Sequence, residues 1–132
     1  MSIKEMISEH PQVGADFNEA LAEAVKHAVY CAAICNSCAD ACSAEDADMR
    51  RCIRLCSDCS DICEATYRVA TRRTSGNVAV IKSMLQTCIE ACEVCAAECE
   101  KHDHAHCRRC ATMCRECADD CRKALEVMNA HA

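Results

Sequence analysis

The chain has few of the residues that build a conventional globular core. Tryptophan is absent from its 132 residues, and Phe17, Tyr30 and Tyr67 are the only aromatic side chains. Proline occurs once, at Pro11, and glycine only twice. Because a many-stranded β protein needs turn residues at each reversal of the chain, this scarcity of Gly and Pro favours a few long helices over a sheet.

Three further features are missing, and each excludes a class of protein. The formal net charge is −6 and no basic stripe is present, which argues against a nucleic-acid partner. No stretch approaches the roughly 20 apolar residues of a membrane span. The N-terminus, MSIKEMISEHPQ, lacks the apolar run and cleavage site of a secretory signal. We therefore expect an acidic cytoplasmic protein without a membrane or nucleic-acid partner, forming a single domain over residues 1–132.

Cysteine, in contrast, is abundant, and its spacing repeats four times. Three groups have the pattern C-x3-C-x2-C-x3-C, and the fourth adds one cysteine three residues upstream. Alternating steps of four and three place every cysteine of a group on one stripe of an α-helix, where Leu or Ile usually lies. The groups are Cys31, Cys35, Cys38, Cys42; Cys52, Cys56, Cys59, Cys63; Cys88, Cys92, Cys95, Cys99; and Cys107, Cys110, Cys114, Cys117, Cys121.

The boundary signals agree with four helices. Asp16 to Glu19 has the form of a capping box for the first helix, and Ser43 and Asp103 are candidate caps for the second and fourth. Ser75-Gly76-Asn77 separates the second helix from the third. The predicted helices cover about 16–43, 45–73, 77–101 and 104–130, with a short helical segment near 3–9.

Short connections between long helices favour an all-α fold, an antiparallel up-down-up-down four-helix bundle with the short N-terminal segment outside it. All four cysteine stripes then face one axis and line about 16 Å of it.

Three interpretations of these cysteines compete. Cysteine as a small hydrophobic filler does not explain four copies of one spacing, since alanine or valine would pack as well. A disulfide-stapled bundle fits poorly with an odd number of cysteines and with a reducing compartment. A metal–thiolate core is therefore the favoured interpretation.

Several metals could use such a core. Zinc and iron–sulfur clusters need four ligands converging on one centre, whereas these cysteines are spread evenly along four helices. Ferritin-type iron sites would show Glu-x-x-His in the core, and no cysteine group contains that motif. Soft thiolates select Cu(I), which accepts two or three sulfurs and tolerates bridging. If each ion takes two sulfurs and each sulfur serves two ions, the capacity is about 17–20 Cu(I) ions per chain.

The two ends of the predicted core differ. Beyond Cys31, Cys63, Cys88 and Cys121 the stripes continue into largely apolar residues, which predicts a closed end. Beyond Cys42, Cys52, Cys99 and Cys107 they continue into Glu45, Asp48 and a K-H-D-H-A-H turn, so we expect an open polar end, the mouth. The candidate copper-uptake ligands there are His102, His104, His106 and Met49, whereas His10, His27 and His131 are expected to be bystanders.

With its repeated C-x3-C-x2-C-x3-C cassettes, the chain resembles the bacterial copper storage proteins, in particular their cytosolic branch, over residues 16–130. The resemblance implies a four-helix bundle with Cu(I) held along the core by paired thiolates, access from one histidine-bearing end, and a homotetramer. Cys31 through Cys121 match the ligand pattern position by position, and the histidines of residues 102–106 match more loosely.

We therefore expect a Cu(I) storage protein rather than an enzyme, because no general acid, base or nucleophile stands apart from the cysteine set. The alternative is a zinc or cadmium buffer of the metallothionein kind. A copper chaperone is less consistent, because a chaperone needs one exposed C-x-x-C rather than 17 inward cysteines.

Overall fold

The computed structural model describes residues 2–74 and 76–130, and those residues form helices and turns without a strand. The predicted separator Ser75 and the predicted bystander His131 lie outside this part of the chain. The helices are α1 (Ile3–Ser8), α2 (Glu19–Ser43), α3 (Arg50–Ala70), α4 (Val78–Cys99) and α5 (Ala105–Ala130), and a 3-10 turn covers Gly14–Asp16.

The four long helices form the predicted antiparallel bundle. Each packs against two others, in the cyclic order α2, α3, α4, α5 and back to α2. At 1.5 Å per residue, helices of 21 to 26 residues are about 32–39 Å long, close to the length expected from the sequence. Within the described residues, no helix is long and apolar enough to span a bilayer.

The first long helix begins later than predicted. Asn18, not Asp16, caps α2, because its side-chain oxygen accepts a hydrogen bond from the Leu21 N–H at 3.0 Å. Asp16 lies in the preceding 3-10 turn, which Gly14 enters with φ +40°. The prediction of Asp16 as a cap was therefore wrong, since the chain turns once more before the helix starts.

The second long helix is shorter than predicted at both ends, Arg50–Ala70 instead of 45–73. Ser43 does not cap it; Ser43 ends α2, and its hydroxyl donates to the Asp40 carbonyl. Asp48 accepts hydrogen bonds from the Arg50 backbone N–H and guanidinium, which holds residues 44–49 in a turn. The acidic segment is therefore a connection at the mouth and not a first helical turn.

The fourth helix begins at Ala105. The His104 carbonyl accepts the Arg108 N–H at 3.0 Å, so His104 occupies the cap position that was predicted for Asp103. The Asp103 carboxylate instead pairs with the Arg108 guanidinium. This start places His106 on the first turn of α5, beside the thiol core.

The short helix α1 packs on the outside of α2, as the sequence indicated. The Ser2 hydroxyl caps it by accepting the Glu5 N–H at 3.0 Å. Ile7 and Val13 are buried against the bundle, and Lys4 forms ion pairs with Glu19 and Glu23 of α2. This segment therefore leaves the thiol axis uncovered and lies beside the bundle near its closed end.

Candidate metal centre

All 17 cysteines are buried in the bundle interior and none forms a disulfide. Cys38 is the most accessible, at 3% exposure. Between the cysteines, α3 and α5 carry mainly charged and hydroxyl side chains, whereas α2 and α4 carry mainly Ala with some Ile, Val and Glu. The cysteine stripe is the face that all four helices turn inward. The structure thus brings together every cysteine that the spacing assigned to the core; their role as copper ligands stays a prediction.

The sulfur atoms form a continuous network along the axis. Cys35 and Cys114 lie 3.5 Å apart, and Cys56 and Cys95 lie 3.6 Å apart. Contacts also cross the bundle diagonally, as between Cys31 of α2 and Cys92 of α4 at 4.0 Å. An ion placed anywhere along this column therefore has thiols from several helices within reach.

Several groups of four thiols have their sulfurs within 4.8 Å of one another, and the groups share members. Of the groups given next, Cys31, Cys35, Cys59, Cys110 and Cys114 each belong to two. The groups include Cys31, Cys59, Cys63, Cys92; Cys31, Cys35, Cys59, Cys114; Cys35, Cys95, Cys110, Cys114; and Cys38, Cys56, Cys99, Cys110. Shared sulfurs suit an ion that accepts bridging thiolates better than isolated four-ligand sites, which would each need their own cysteines.

The sulfur separations are compatible with metal binding after small adjustments. For a metal–sulfur distance of about 2.3 Å, two sulfurs lie about 4.6 Å apart in linear coordination, about 4.0 Å in trigonal and about 3.8 Å in tetrahedral coordination. The observed contacts of 3.5 to 4.0 Å correspond to thiols in contact with one another. Binding a two-coordinate ion therefore requires the sulfurs to separate by about 0.6–1.1 Å, a shift that rotation of the cysteine side chains can supply.

The mouth brings the last thiols of each stripe together, as the antiparallel order predicts. Cys42 lies 3.6 Å from Cys52, and Cys52 lies 3.7 Å from Cys99. Cys107, the additional member of the fourth group, lies 4.0 Å from Cys42. The irregular extra cysteine therefore completes the ring of thiols at this end.

One histidine joins the thiols directly. The His106 Nδ1 atom lies 3.3 Å from the Cys38 sulfur and 3.6 Å from the Cys107 sulfur. Cys38, Cys42, Cys107 and His106 form a further candidate metal-binding group. His106 thus places a nitrogen ligand at the outer edge of the sulfur column.

Glu45 fixes the orientation of this histidine. Its carboxylate accepts a hydrogen bond from His106 Nε2 at 2.7 Å, so Nδ1 is the nitrogen that faces the thiols. The same carboxylate lies 3.3 Å from His104 Nδ1, and the two imidazole rings stack with their centroids 5.6 Å apart. Glu45 therefore links the α2–α3 connection to the first turn of α5.

The other two candidate uptake residues have different surroundings. His102 Nε2 lies 2.9 Å from the carboxylate of Glu98, which is only 7% exposed and also pairs with Arg51 of α3. Met49 is buried at the start of α3, with 2% exposure. Sequence reasoning missed the role of Glu98, although its position four residues before His102 on one helix is a signal for such a pair.

The electrostatics of the mouth favour a thiolate at its edge. Hydrogen bonds with Cys110 and Cys56, together with one from His106, lower the pKa of Cys38 to about 6. The hydrogen bond with Cys38, supported by Glu45, raises the pKa of His106 above its usual value. Burial raises the pKa values of Cys42 and Cys107. Cys38 is therefore a mouth thiol whose ionised form has a histidine partner, His106, at the edge of the column.

The closed end has the apolar character that the sequence predicted. Leu21, Val25, Ile81 and Leu85 are each 2% exposed or less and fill the bundle beyond the last thiols. His27, at the rim of this region, forms an ion pair with Asp120 of α5. Leu21, Val25, Ile81 and Leu85 carry no metal-ligating atom, whereas at the mouth the outermost thiols meet His106 and, through it, Glu45.

Comparison with known proteins gives concordant results. The sequence profile of the family described as “Copper storage protein” matches residues 17–126. The copper storage protein Ccsp from Streptomyces lividans, solved with 10 copper equivalents, is 37% identical with a TM-score of 0.89, and the match covers 95% of this chain and 98% of that chain.

Two further proteins are similar. The Cu(I)-bound copper storage protein BsCsp3 is 34% identical with a TM-score of 0.70, over 78% of this chain and 95% of that chain. The uncharacterized cysteine-rich protein YhjQ of Bacillus subtilis strain 168 is 36% identical over 97 residues, which are 72% of this chain and 83% of that protein.

Proposed function

The chain belongs to the copper storage protein family, and from that premise we propose that it stores Cu(I) as many ions bound by its core thiolates. The observation that carries the proposal is the continuous column of 17 buried thiols with shared sulfur neighbours. Because Cu(I) accepts two or three thiolates and bridging sulfurs, the column has room for about 17–20 ions per chain.

Charge balance supports this capacity. Each thiol loses a proton when it binds an ion, so each thiolate offsets one Cu⁺. A filled column is then close to neutral, whereas divalent ions at the same density would leave an uncompensated positive charge in a buried core. The column therefore suits many monovalent ions and far fewer divalent ones.

The residues proposed to hold copper are the 17 cysteines, Cys31 through Cys121, with His102, His104, His106 and Met49 serving uptake at the mouth. His106 has the strongest structural support, because its Nδ1 faces two thiols. His104 stacks on His106, and Glu98 holds His102 beside the last turn of α4. Met49 is proposed as a soft thioether ligand beneath the acidic connection.

The setting of this function is also part of the proposal. The S. lividans protein is described as a cytosolic copper storage protein, which supports a cytoplasmic location for this chain. We propose that residues 1–132 act as one domain, that the chain assembles into a homotetramer as the family resemblance implies, and that it sequesters copper without catalysing a reaction.

The decisive experiment is an anaerobic titration of the reduced protein with Cu(I) in the presence of a competing chelator. We expect about 15 or more tightly bound ions per chain. Replacing Cys35, Cys59, Cys92 and Cys114 with Ser should lower the capacity by about four ions, one for each thiolate removed. The matched control, His102→Ala, should retain the full capacity.

Two outcomes would contradict storage of Cu(I). One is saturation at one or two copper ions per chain. The other is zinc binding that saturates at about four ions per chain and displaces copper. Four is the number of separate tetrahedral sites that 17 thiols can provide. The second outcome would support a zinc buffer, which the tetrahedral sulfur spacing also accommodates.

A further inference from the structure

A groove on the outside of the bundle is separate from the thiol column. It has a volume of about 950 Å³ and lies between α1 and the neighbouring faces of α2 and α3, near the closed end. Its α2 wall is formed by Lys26, Val29 and Tyr30, and its other wall includes Tyr67 of α3 and Arg72, which follows the end of α3. The copper-binding proposal gives no role to any of these residues.

The apolar part of the groove is unusually exposed. Met6, Tyr30 and Val29 are 69%, 50% and 36% exposed, and they are three of the six large hydrophobic side chains that are exposed in the described part of the chain. Tyr67, half-buried in the α3 wall, is a second aromatic side chain in a protein with three. An apolar, tyrosine-bearing surface is thus concentrated in one concave region.

The groove also concentrates positive charge in an acidic protein. Its lining includes five basic side chains, Lys4, His10, Lys26, Arg68 and Arg72, and a single carboxylate. Lys4 is paired with Glu19 and Glu23 of α2. Among residues 2–74 and 76–130, no carboxylate oxygen lies within 4.0 Å of the side-chain nitrogens of Lys26, Arg68 or Arg72, whereas most other basic side chains of the bundle have one.

We propose that this groove binds a small amphipathic organic anion, with its carboxylate, sulfonate or phosphate group on Lys26, Arg68 and Arg72 and its apolar body on Tyr30, Val29 and Met6. The volume lies in the range of about 300–1,000 Å³ that small-molecule sites occupy. Arginine forms paired hydrogen bonds to planar anions, and the exposed tyrosine ring offers a surface for an apolar or aromatic group.

The concave shape favours a small molecule over a membrane. A flat anionic bilayer would contact the rim of the groove and leave its floor uncovered, while a molecule of drug size can reach both the floor and the cations. The site lies on the outer surface, so its occupancy should be independent of copper loading.

The test is a fluorescence titration of the full chain, both copper-free and copper-loaded, with 8-anilinonaphthalene-1-sulfonate, an aromatic sulfonate. We expect saturable binding of one probe per chain, displaced by decanoate and not by decanol. Replacing Lys26 and Arg72 with Gln should weaken binding about tenfold or more, because two charged partners of the anion are lost.

The control is Arg109→Gln, an exposed basic residue of α5 outside the groove. It should leave the probe affinity unchanged, and all variants should keep the copper capacity and the melting temperature of the wild type. Amide chemical shifts that change with decanoate should map to α1, the first half of α2 and the end of α3.

Three results would overturn the proposal. One is an affinity that falls equally in Arg109→Gln and in the groove variants. Another is sedimentation showing that Met6→Glu and Tyr30→Ser dissociate an oligomer, which would make the groove an interface between copies. The third is binding only to phosphatidylglycerol vesicles and not to decanoate.

Discussion

Glu45 is the residue whose replacement tests the organisation of the mouth most directly. Its carboxylate holds His106 Nε2 at 2.7 Å, and thereby aims Nδ1 at Cys38 and Cys107. Glu45→Gln keeps the size of the side chain but removes its charge, and its amide oxygen is a weaker acceptor. We predict slower uptake of the first copper ions with an unchanged final capacity, because the 17 thiols remain.

The size of the effect follows from the exposure of the pair. A hydrogen bond to a charged partner contributes about 1.5–3 kcal/mol, and solvent screening reduces this for side chains that are each 28% exposed. About 1–1.5 kcal/mol remains, which corresponds to roughly a five- to twelvefold decrease in the initial uptake rate. The pKa of His106 should also fall, because Glu45 is one of the groups that raise it.

The assay is anaerobic stopped-flow transfer of Cu(I) from a coloured chelator, which gives the initial rate and the final capacity in one experiment. The matched control is Asp46→Asn, which removes the same charge from the same connection at an exposed position. If Asp46→Asn slows uptake as much as Glu45→Gln, general attraction of cations explains the rate. If Glu45→Gln has the wild-type rate while His106→Ala is slow, positioning by Glu45 is refuted.

The remaining predictions concern the pH dependence of stability, packing at the closed end, stabilisation by copper, and the Glu98–His102 pair. Folding lowers the pKa of Cys38 to about 6, so the ionised thiol should stabilise the protein fully above the ordinary thiol pKa, and this stabilisation should be lost as the pH falls through about 6. The free energies of unfolding of wild type and Cys38→Ser, measured with urea across this range, should therefore converge at low pH. His106, whose pKa is raised, should show the opposite trend, contributing at low pH and losing its contribution as the pH rises. Leu85→Ala, at a site 1% exposed, should lower the free energy of unfolding of the copper-free protein by about 3 kcal/mol. Copper should raise the melting temperature of both the wild type and Leu85→Ala, and a melting temperature that is insensitive to copper would contradict binding to the folded state. Glu98→Gln should weaken the hydrogen bond that orients His102, and should slow copper uptake at unchanged capacity. If Glu98→Gln takes up copper at the wild-type rate while His102→Ala is slow, Glu98 only joins α3 to α4 through its ion pair with Arg51.

Some boundary errors show where local sequence signals are insufficient. Asp16, Ser43 and Asp103 are all good capping residues, yet none caps the helix to which it was assigned. In each case a competing hydrogen bond or an extra turn moved the helix start by one to five residues, as with Asp48 holding Arg50. These choices depend on the packing of the connections, which a single local pattern does not specify.

The residues of the mouth could be predicted only as a set. The sequence placed His102, His104, His106 and Glu45 near one end, because they follow the last cysteines of the stripes. It did not indicate that His106 is the histidine in contact with thiols, or that Glu45 and Glu98 orient different histidines. Residues 61 positions apart, such as Glu45 and His106, meet only because antiparallel helices bring two connections to the same end.

The sequence by itself determined the helices and their inward stripes. Cysteines spaced alternately four and three residues apart fall on one face of an α-helix, and the chain has too few large apolar side chains to form a core on another face. It also determined that one end is apolar and the other polar. Only the tertiary structure decided which sulfurs are neighbours, which histidine reaches them and which carboxylate aims it. Those relations depend on the distances and rotations between helices, and the hydrophobic pattern of each single helix carries no information about them.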